Sequence, residues 1–313
     1  MYVVYLKKNE EKKILNGYPW VFANEVRKIE GRDKQGSVAE VRGADGRFIG
    51  LGTINHHSKI IVRMLTRKQE IIDEDFYRRR IIEAVKFRQE LGYDNNYRAV
   101  FAESDLIPGL IVDKYGDYLS VQFLSLGVEV VRDMIIRLLV EIFSPKGIYE
   151  RSDVAVRLKE GLEERTGIIY GDFDPRVTIV ENGLKMIVDL ENGQKTGYFL
   201  DQKENRDDLK HYVKGKTVLD CFCNEGGFSL CAIKYGASEV TAVDISQKAI
   251  DLVKENAGLN GLEIKTETAD VFEKLREYRK DKRKFGVVVL DPPAFTKSSD
   301  TVKEGYKGYK DVN

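Results

Sequence analysis

Cysteine and histidine are both scarce in this sequence, with only three of each among 313 residues. The cysteines are Cys221, Cys223 and Cys231, and their close spacing is not that of a disulfide framework. A reducing cytoplasm is therefore the expected location. The histidines show no Cys/His spacing of the kind that binds zinc, so no metal is expected.

Long apolar runs are also missing. No stretch approaches the roughly 18 residues that a membrane span needs. The N-terminus, MYVVYLKKNEEKK, has a short apolar stretch followed by charges, which is the reverse of a secretory signal. We therefore expect no membrane partner. The length and the hydrophobic fraction of 42% are typical of a globular protein with two or three domains.

The sequence also has no excess of either charge: its formal net charge is +0. This balance argues against a protein that binds nucleic acids indiscriminately. The charges are nevertheless unevenly placed. Residues 1–70 contain 14 Lys and Arg against 8 Asp and Glu, whereas residues 71–180 contain 15 against 20. The basic first segment predicts a surface for a polyanion, although a lysine-rich face that is merely solvated would have the same composition.

Strand and helix patterns divide the chain into three parts. In residues 1–70, β-branched segments predict short strands of a small barrel at Ser37–Val41, Arg47–Leu51 and Lys59–Leu65. The middle part mixes predicted helices with strands. Its helices are predicted at Asp73–Leu91 and Val128–Phe143, and its hairpin turns at Tyr115-Gly116-Asp117 and Asn182-Gly183.

From Lys216 onwards strands and helices alternate, which predicts a parallel, doubly wound α/β sheet. The strands are predicted at Thr217–Phe222, Glu239–Ile245, Glu263–Thr268 and Phe285–Leu290, and the helices at Gly227–Tyr235, Gln247–Leu259 and Val271–Tyr278. Ligands bind outside the carboxyl ends of the strands in such sheets.

Each predicted strand of this sheet ends in a feature suited to ligand binding. The first carries Asp220 and runs into Gly226-Gly227, where the backbone can approach a ligand closely. Asp244 can accept both hydroxyls of a ribose, and Asp270 can accept from an adenine amino group. The fourth strand ends in Asp291-Pro292-Pro293, whose carbonyls can face a planar base.

These strand ends would also fit two different roles. Asp244 and Asp270 can simply cap the helices that follow them. A nicotinamide dehydrogenase also uses such a sheet, but it requires G-x-G-x-x-G after the first strand. The loop Cys223-Asn224-Glu225-Gly226-Gly227-Phe228 does not fit that pattern, and a dehydrogenase leaves Asp-Pro-Pro unexplained.

Together with these aspartates and Asp-Pro-Pro-Ala-Phe, the stretch GQKTGYFLDQKENR at residues 193–206 resembles the large-subunit ribosomal RNA cytosine-5 methyltransferase I family. Residues 17–25 resemble the opening of that family's PUA domain, and residues 150–153 and 160–162 its central domain. The resemblance runs from the first residues to the last. It implies an RNA-binding β-barrel PUA domain in residues 1–70, a central α+β domain in residues 71–190, and a Rossmann-like class I methyltransferase domain in residues 191–313.

The resemblance implies S-adenosyl-L-methionine as cofactor and large-subunit ribosomal RNA as partner. Asp220 and the Gly226-Gly227 loop would surround the methionine part, Asp244 would hold the ribose, and Asp270 would frame the adenine. Asp291 would orient the target base. The full set of implied cofactor contacts is Asp220, Phe222, Cys223, Asn224, Gly226, Gly227, Phe228, Asp244, Ile245, Asp270, Val271, Asp291 and Pro292.

A cleft over cofactor and substrate is implied for a second group of residues. It comprises Gln194, Lys195, Thr196, Tyr198, Phe199, Asp201, Gln202 and Arg206. Plain core packing is an alternative role for the two aromatic residues of this group.

Methylation of cytosine at carbon 5 needs a cysteine thiolate that adds to carbon 6. In the family this cysteine lies on a later strand, in a Ser/Thr-Cys-Ser stretch that this sequence lacks. Cys221, Cys223 and Cys231 are predicted to be structural. We therefore expect that the methyltransferase sheet lacks its last strands, that strand Phe285–Leu290 has an unpaired edge, and that this chain does not itself methylate cytosine.

The predicted function is an enzyme that forms 5-methylcytosine in large-subunit (23S) ribosomal RNA. An RNA guanine N-methyltransferase of the same fold is an alternative, because such relatives share the motifs without needing a cysteine. A non-catalytic RNA-binding assembly factor is an alternative of another class. A homodimer is compatible with the sequence.

Overall fold

The computed structural model describes residues 1–296 and 301–313, which form two compact units. The first unit comprises Met1–Val177 and Val188–Leu200, and the second comprises Thr178–Ile187 and Asp201–Asn313. The predicted boundaries near residues 70 and 190 stay predictions. Within the described ranges, no helix combines the length and the apolar character that a membrane crossing requires.

The first unit begins with a mixed sheet in the strand order β2-β6-β5-β4-β1-β3. Its elements are β1 (Tyr2–Leu6), α1 (Glu11–Leu15), β2 (Trp20–Phe22), β3 (Val26–Glu30), β4 (Val38–Arg42), β5 (Phe48–Ile54) and β6 (Ile60–Thr66). The short strands predicted here are confirmed. Strand β5 extends three residues beyond its predicted end, because Gly52 lets β6 approach closely: a Cβ there would lie 2.4 Å from the Arg63 carbonyl oxygen.

A second sheet follows in the order β11-β10-β9-β8-β7. Its elements are α2 (Glu74–Glu90), β7 (Asn96–Phe101), β8 (Leu110–Tyr115), β9 (Tyr118–Phe123), α3 (Leu126–Val130), α4 (Arg132–Phe143), β10 (Gly147–Ser152) and β11 (Arg165–Tyr170). Asp73 caps α2 by accepting from the Phe76 amide at 3.0 Å. The apolar side chains of α2 and α4 cover a core that includes Ile81, Val121 and Leu138.

The single helix predicted at Val128–Phe143 is in fact two helices. They meet at Val131, whose φ of −103° and ψ of 16° depart from helical values. Helix α3 packs against β5, where a Cβ on Gly127 would lie 2.2 Å from the Thr53 hydroxyl oxygen. Helix α4 instead packs on the second sheet. The two packing surfaces require two helix directions, which the continuous apolar pattern of the sequence does not reveal.

A buried carboxylate joins the two sheets of the first unit. Glu160, 2% exposed in the turn after β10, accepts from Ser58 Oγ at 2.7 Å and Arg63 Nη2 at 2.8 Å. Asn55 Nδ2 donates to the same carboxylate at 3.1 Å. Burial opposes ionisation of this carboxyl, but the hydrogen bonds and charge of Arg63 outweigh burial and lower its pKa.

The second unit is built on a parallel sheet in the order β16-β15-β14-β17. Its elements are α5 (Lys203–Asp208), β14 (Thr217–Cys221), α6 (Gly227–Lys234), β15 (Glu239–Asp244), α7 (Gln247–Leu259), β16 (Lys265–Thr268), α8 (Val271–Lys280), β17 (Val287–Leu290) and α9 (Val302–Val312). Strands β12 (Arg176–Glu181) and β13 (Leu184–Asp189) form the predicted Asn182-Gly183 hairpin. The predicted α/β architecture is confirmed. Among the described residues, β17 lies at an edge of the sheet.

Removing the Glu160 carboxylate should destabilise the first unit strongly. Glu160→Ala leaves the Ser58 hydroxyl without its acceptor and leaves Arg63 with Glu103 as its remaining carboxylate partner, which should lower the free energy of unfolding by about 1–3 kcal/mol. Trp20 is the only tryptophan of the chain and lies in this unit, so its fluorescence during urea unfolding measures the effect. Asp117→Ala, which removes an exposed ion pair with Lys146, should leave the midpoint almost unchanged. Equal midpoints for both variants would contradict the role of Glu160.

Candidate active site

Three carboxylates of the second unit meet at the carboxyl ends of neighbouring parallel strands. Cys221, the last residue of β14, pairs with Val243 of β15 and Leu290 of β17. Asp244 follows Val243 and Asp291 follows Leu290, so these two aspartates lie at the same level of the sheet. With Asp220 of β14, the structure thus brings together three of the four acids that the sequence placed at separate strand ends.

Asp220 lies beneath this edge and is 1% exposed. Ser229 Oγ, from the first turn of α6, donates to its Oδ2 at 2.6 Å. Burial raises the pKa of the Asp220 carboxyl to about 7, and the negative charges of Asp291 and Asp244 add to the effect. A group with a pKa near neutrality responds strongly to any cation that binds beside it.

Asp244 orders the backbone around it and does not cap the helix that follows. Its Oδ2 accepts from the Asn224 amide at 3.0 Å and its Oδ1 from the Ser246 amide at 2.9 Å. The cap of α7 is Ser246, whose Oγ accepts from the Ala249 amide. Each carboxylate oxygen has two acceptor sites, so each can still accept from one hydroxyl of a ligand. Asp244 is therefore not the cap of α7, and the alternative role raised from the sequence does not apply to it.

Asp270 does act as a helix cap. Its Oδ1 accepts from the Glu273 amide at 3.0 Å at the start of α8. The next residue, Val271, is buried at 3% exposure in the core beneath. The capping role thus holds at Asp270, and a contact to an adenine stays a prediction.

The loop after β14 has an unusual backbone. Phe222 and Asn224 have φ values of 59° and 46°, and Gly226 has a φ of 80°. Positive φ costs energy at residues other than glycine, and such strain concentrates at functional sites. Glycine is required at 226 for a second reason, since a Cβ there would lie 3.0 Å from Val253 on α7. The glycine pair of the sequence predicts close approach to a ligand; the contact seen at Gly226 is with a helix.

Two asparagines hold this loop and the β12–β13 hairpin in place. One lies within α7 and the other caps its C-terminal end, and the sequence pattern singled out neither of them. Asn256 is fully buried, and its Nδ2 donates to the Glu225 carbonyl at 3.1 Å while its Oδ1 accepts from the Ile187 amide at 2.8 Å. One turn later, Asn260 makes two bonds with the backbone of Lys185. Asn256 is a polar residue on the otherwise apolar face formed by Ile250, Val253 and Ala257. This position could have indicated from the sequence that its side chain makes buried hydrogen bonds.

Aromatic rings cover the apolar side of the same edge. The Phe222 ring lies 6.3 Å from those of Phe272 and Phe295, which are 5.6 Å apart. Tyr309 of α9 contacts Phe295 at 4.7 Å between centroids. Sequence reasoning missed this cluster too, because its members come from segments that are distant in sequence.

The three cysteines are buried, which makes them poor nucleophiles. Burial raises the pKa of Cys221 to about 12 and that of Cys231 to about 11. Burial and the nearby Asp220 and Asp244 charges raise the pKa of Cys223 as well. Essentially no thiolate forms near neutral pH at any of them.

The remaining predicted contacts vary in exposure. Gly227 and Phe228 begin α6, Ile245 is 70% exposed after β15, and Pro292 is half-buried after β17. Their contacts with a cofactor stay predictions. Among the described residues, no group of three or more acidic, histidine or cysteine side chains could hold a metal ion.

The GQKTG stretch is anchored within the first unit. Thr196, 1% exposed, donates to Asp113, which Arg98 also holds through two bonds of 2.8 and 2.9 Å. Tyr115 bonds to both backbone groups of the buried Tyr198. Tyr198 is therefore packed in the core of the first unit, which agrees with the alternative role that the sequence left open for it.

The neighbours of Thr196 in this stretch make looser contacts. Lys195 Nζ lies 4.3 Å from the centre of the Phe199 ring, and Gln194 forms a β-bridge with Gly197. Lys195 also has a positive φ of 53°. A contact of these residues with a cofactor or substrate stays a prediction.

The other predicted cleft residues belong to the second unit. Asp201 and Gln202 lie in a short turn before α5. Arg206 is 3% exposed and pairs with Glu181 at 2.8 Å. The cleft that these residues were predicted to share with residues 194–199 stays a prediction.

Two protein families match the chain. Residues 4–67 match the PUA-like domain family, and residues 166–310 match the S-adenosylmethionine-dependent methyltransferase family. The second match contains all three carboxylates and the strained loop.

Relatives resemble nearly the whole chain. Ribosomal RNA large subunit methyltransferase I of Aeromonas salmonicida is 44% identical over 318 residues, covering 99% of this chain and 80% of the relative. The protein of the same description from Vibrio cholerae is 43% identical with the same coverage. A putative SAM-dependent methyltransferase from Streptococcus mutans shares the fold with a TM-score of 0.82 at 23% identity, over 100% of this chain and 82% of that one. A putative methyltransferase solved with SAH has a TM-score of 0.84 at 22% identity and the same coverage.

The buried Asp220 should make stability depend on pH. The folded state holds the proton up to a pKa of about 7, whereas the unfolded state releases it near 4, so this stabilisation is present below pH 4 and lost as pH rises to 7. Asp220→Asn cannot lose a proton. Its stability relative to wild type should therefore increase from pH 5 to pH 8, by an amount on the order of 2 kcal/mol. Thermal unfolding at both pH values measures this, and a difference that does not change with pH would disprove the assignment.

Proposed function

Since the chain belongs to the ribosomal RNA large subunit methyltransferase I family, we propose that it transfers a methyl group from S-adenosylmethionine to a base of large-subunit ribosomal RNA. The observation that carries this proposal is the convergence of Asp220, Asp244 and Asp291 at the carboxyl ends of β14, β15 and β17. Location in the cytoplasm and a homodimer remain predictions.

The residues present fit the chemistry of this cofactor. When bound, it supplies an electrophilic methyl group on a positively charged sulfonium. A cluster of three carboxylates favours such a cation, together with the ammonium of the methionine part. Asp244, already oriented by two backbone amides, has acceptor sites left for two ribose hydroxyls. The loop from Phe222 to Gly226 follows the same strand end, and its positive φ values are the kind of backbone strain that concentrates at ligand sites.

The target base would meet the segment after β17. Asp291 is exposed, and the two prolines that follow it remove backbone donors. Carbonyl groups and one carboxylate are therefore offered to the edge of a base, and they suit its amino groups. A cytosine and a guanine both carry such an amino group.

We propose carbon 5 of cytosine as the position, because the resemblance to the cytosine-5 methyltransferase I family runs along the whole chain and is not limited to the motifs that guanine N-methyltransferases share. That chemistry needs a thiolate that adds to carbon 6 and a base that removes the hydrogen of carbon 5. None of the three buried cysteines fits the role of the thiolate. A second candidate is methylation of a guanine nitrogen, a reaction that requires no covalent adduct; the carbonyl groups and the carboxylate after β17 suit the amino group of guanine as well.

Asp244 should be needed for cofactor affinity. Asp244→Asn removes a charge-assisted acceptor for the ribose hydroxyls, a loss of about 1.5–3 kcal/mol that corresponds to roughly tenfold to hundredfold weaker binding. Calorimetric titration with S-adenosylmethionine measures the change. Asp251→Asn, on the exposed side of α7, is the matched control and should bind as wild type does. Absence of cofactor binding by the wild-type protein would favour the non-catalytic assembly factor.

The methylated base can be identified from cellular RNA. Large-subunit RNA from cells with and without the gene is digested to nucleosides and analysed by mass spectrometry. We expect the loss of one 5-methylcytidine and its restoration by the wild-type gene but not by the Asp244→Asn gene. Loss of a methylated guanosine instead would establish the second candidate, and an unchanged nucleoside profile would refute both.

A further inference from the structure

An aromatic strip lies at the edge of the first sheet and has no part in the methyl-transfer site. Tyr18, Trp20 and Phe22 are alternate residues entering and forming β2, which stands at the end of the strand order. Alternate residues of a strand lie on one face. The residue between the last two, Val21, is fully buried in the core, so the three rings face away from it.

The three rings contact one another and keep exposed surface. The Tyr18 ring lies 5.9 Å from that of Trp20 and 6.4 Å from that of Phe22, to which it is tilted by only 33°. Tyr18 is 38% exposed, and the other two are half-buried. Trp20 is held in place through its Nε1, which donates to Glu103 at 2.8 Å. The Trp20 ring stands nearly perpendicular to the rings of Tyr18 and Phe22, at 80° and 89°. The strip is therefore a partly open aromatic surface with more than one ring orientation.

Basic groups surround the strip. Lys13 Nζ lies over one face of the Tyr18 and Phe22 rings, 4.8 Å and 4.9 Å from their centres, and is paired with the buried Glu25. The Arg63 guanidinium lies over the Trp20 ring at 5.7 Å, so the opposite faces of the three rings are the ones that a base could contact. Arg67 is exposed and donates to the carbonyls of Ile14 and Tyr18, which fixes its guanidinium beside the strip. These groups belong to the segment with 14 basic and 8 acidic residues. Proteins that bind single-stranded nucleic acids combine exposed aromatic rings, on which bases stack, with neighbouring basic groups.

We propose that Tyr18, Trp20 and Phe22 form a stacking platform for unpaired bases of the RNA, with Arg67 contacting the phosphate beside them. A paired base presents only its edges, so a duplex cannot use this surface. The inference rests on the proposed function and deepens it, since its ligand is the RNA substrate, but it concerns binding alone. Its test needs neither cofactor nor methyl transfer, so it can fail while the methyl-transfer site stands.

The single tryptophan makes the proposal directly measurable. Trp20 is the only tryptophan in the chain, so in the folded protein its fluorescence reports on the surroundings of this strip. Without cofactor, a single-stranded RNA of mixed sequence should quench the emission in a saturable way. The same strand annealed to its complement, and inorganic polyphosphate, should not. Equal quenching by all three, or none by the single strand, would overturn the proposal.

Two variants provide an independent test. Tyr18→Ala should weaken binding of the single-stranded RNA about fivefold to hundredfold, the range found when one base loses its stacking partner. The control is Tyr170→Ala, which removes a tyrosine of similar exposure from β11 of the same unit and should leave affinity unchanged. Affinity from fluorescence anisotropy of labelled RNA, with thermal unfolding to confirm the fold of both variants, decides the result. Unchanged affinity of folded Tyr18→Ala would overturn the proposal.

Discussion

The parallel pairing of β14 with β15 on one side and β17 on the other is the constraint on which the second unit depends. It brings three carboxyl groups to one edge, where three negative charges would be unfavourable without a counter-ion. The structure accommodates them by burying Asp220 against Ser229, where the carboxyl keeps its proton up to about pH 7. A cationic ligand would relieve the repulsion that remains. The same feature that lowers the stability of the fold without a ligand therefore favours a positively charged cofactor.

The first unit depends on a different buried carboxylate. Glu160 comes from the turn after β10, yet its partners Ser58 and Arg63 belong to the first sheet and the turn before its last strand. An ion pair of this kind contributes little net stability over an apolar contact, but breaking it is expensive. The basic N-terminal segment is therefore energetically tied to the sheet that follows it. A deletion of residues 1–70 would expose Glu160, so point variants on the surface are the cleaner way to study RNA binding.

The sequence predicted the parts of the fold that local patterns determine. The alternating strands and helices after Lys216 and the acids at strand ends needed only the rule that parallel strands end on one side of a sheet. It did not predict the partners of those acids. Ser229 and Asn256 act through contacts whose geometry follows from how α6 and α7 pack, and no local period marks them. The break between α3 and α4 also depends on packing. One continuous apolar segment packs against two different sheets, and the sequence pattern does not show where it changes from one to the other.

The net charge of zero shows why an average can mislead about partners. It suggested that indiscriminate nucleic-acid binding was unlikely, and by itself it said nothing about a specific site. The charges are separated along the chain, and the separation agrees with the ligand that we propose for each region. The aromatic strip is bordered by Lys13 and Arg67, as suits a polyanion, whereas the strand ends carry Asp220, Asp244 and Asp291, as suits a cation. An enzyme that transfers a methyl group from a cationic cofactor to a polyanionic RNA needs local sites of both signs, so a net charge of zero is compatible with that chemistry.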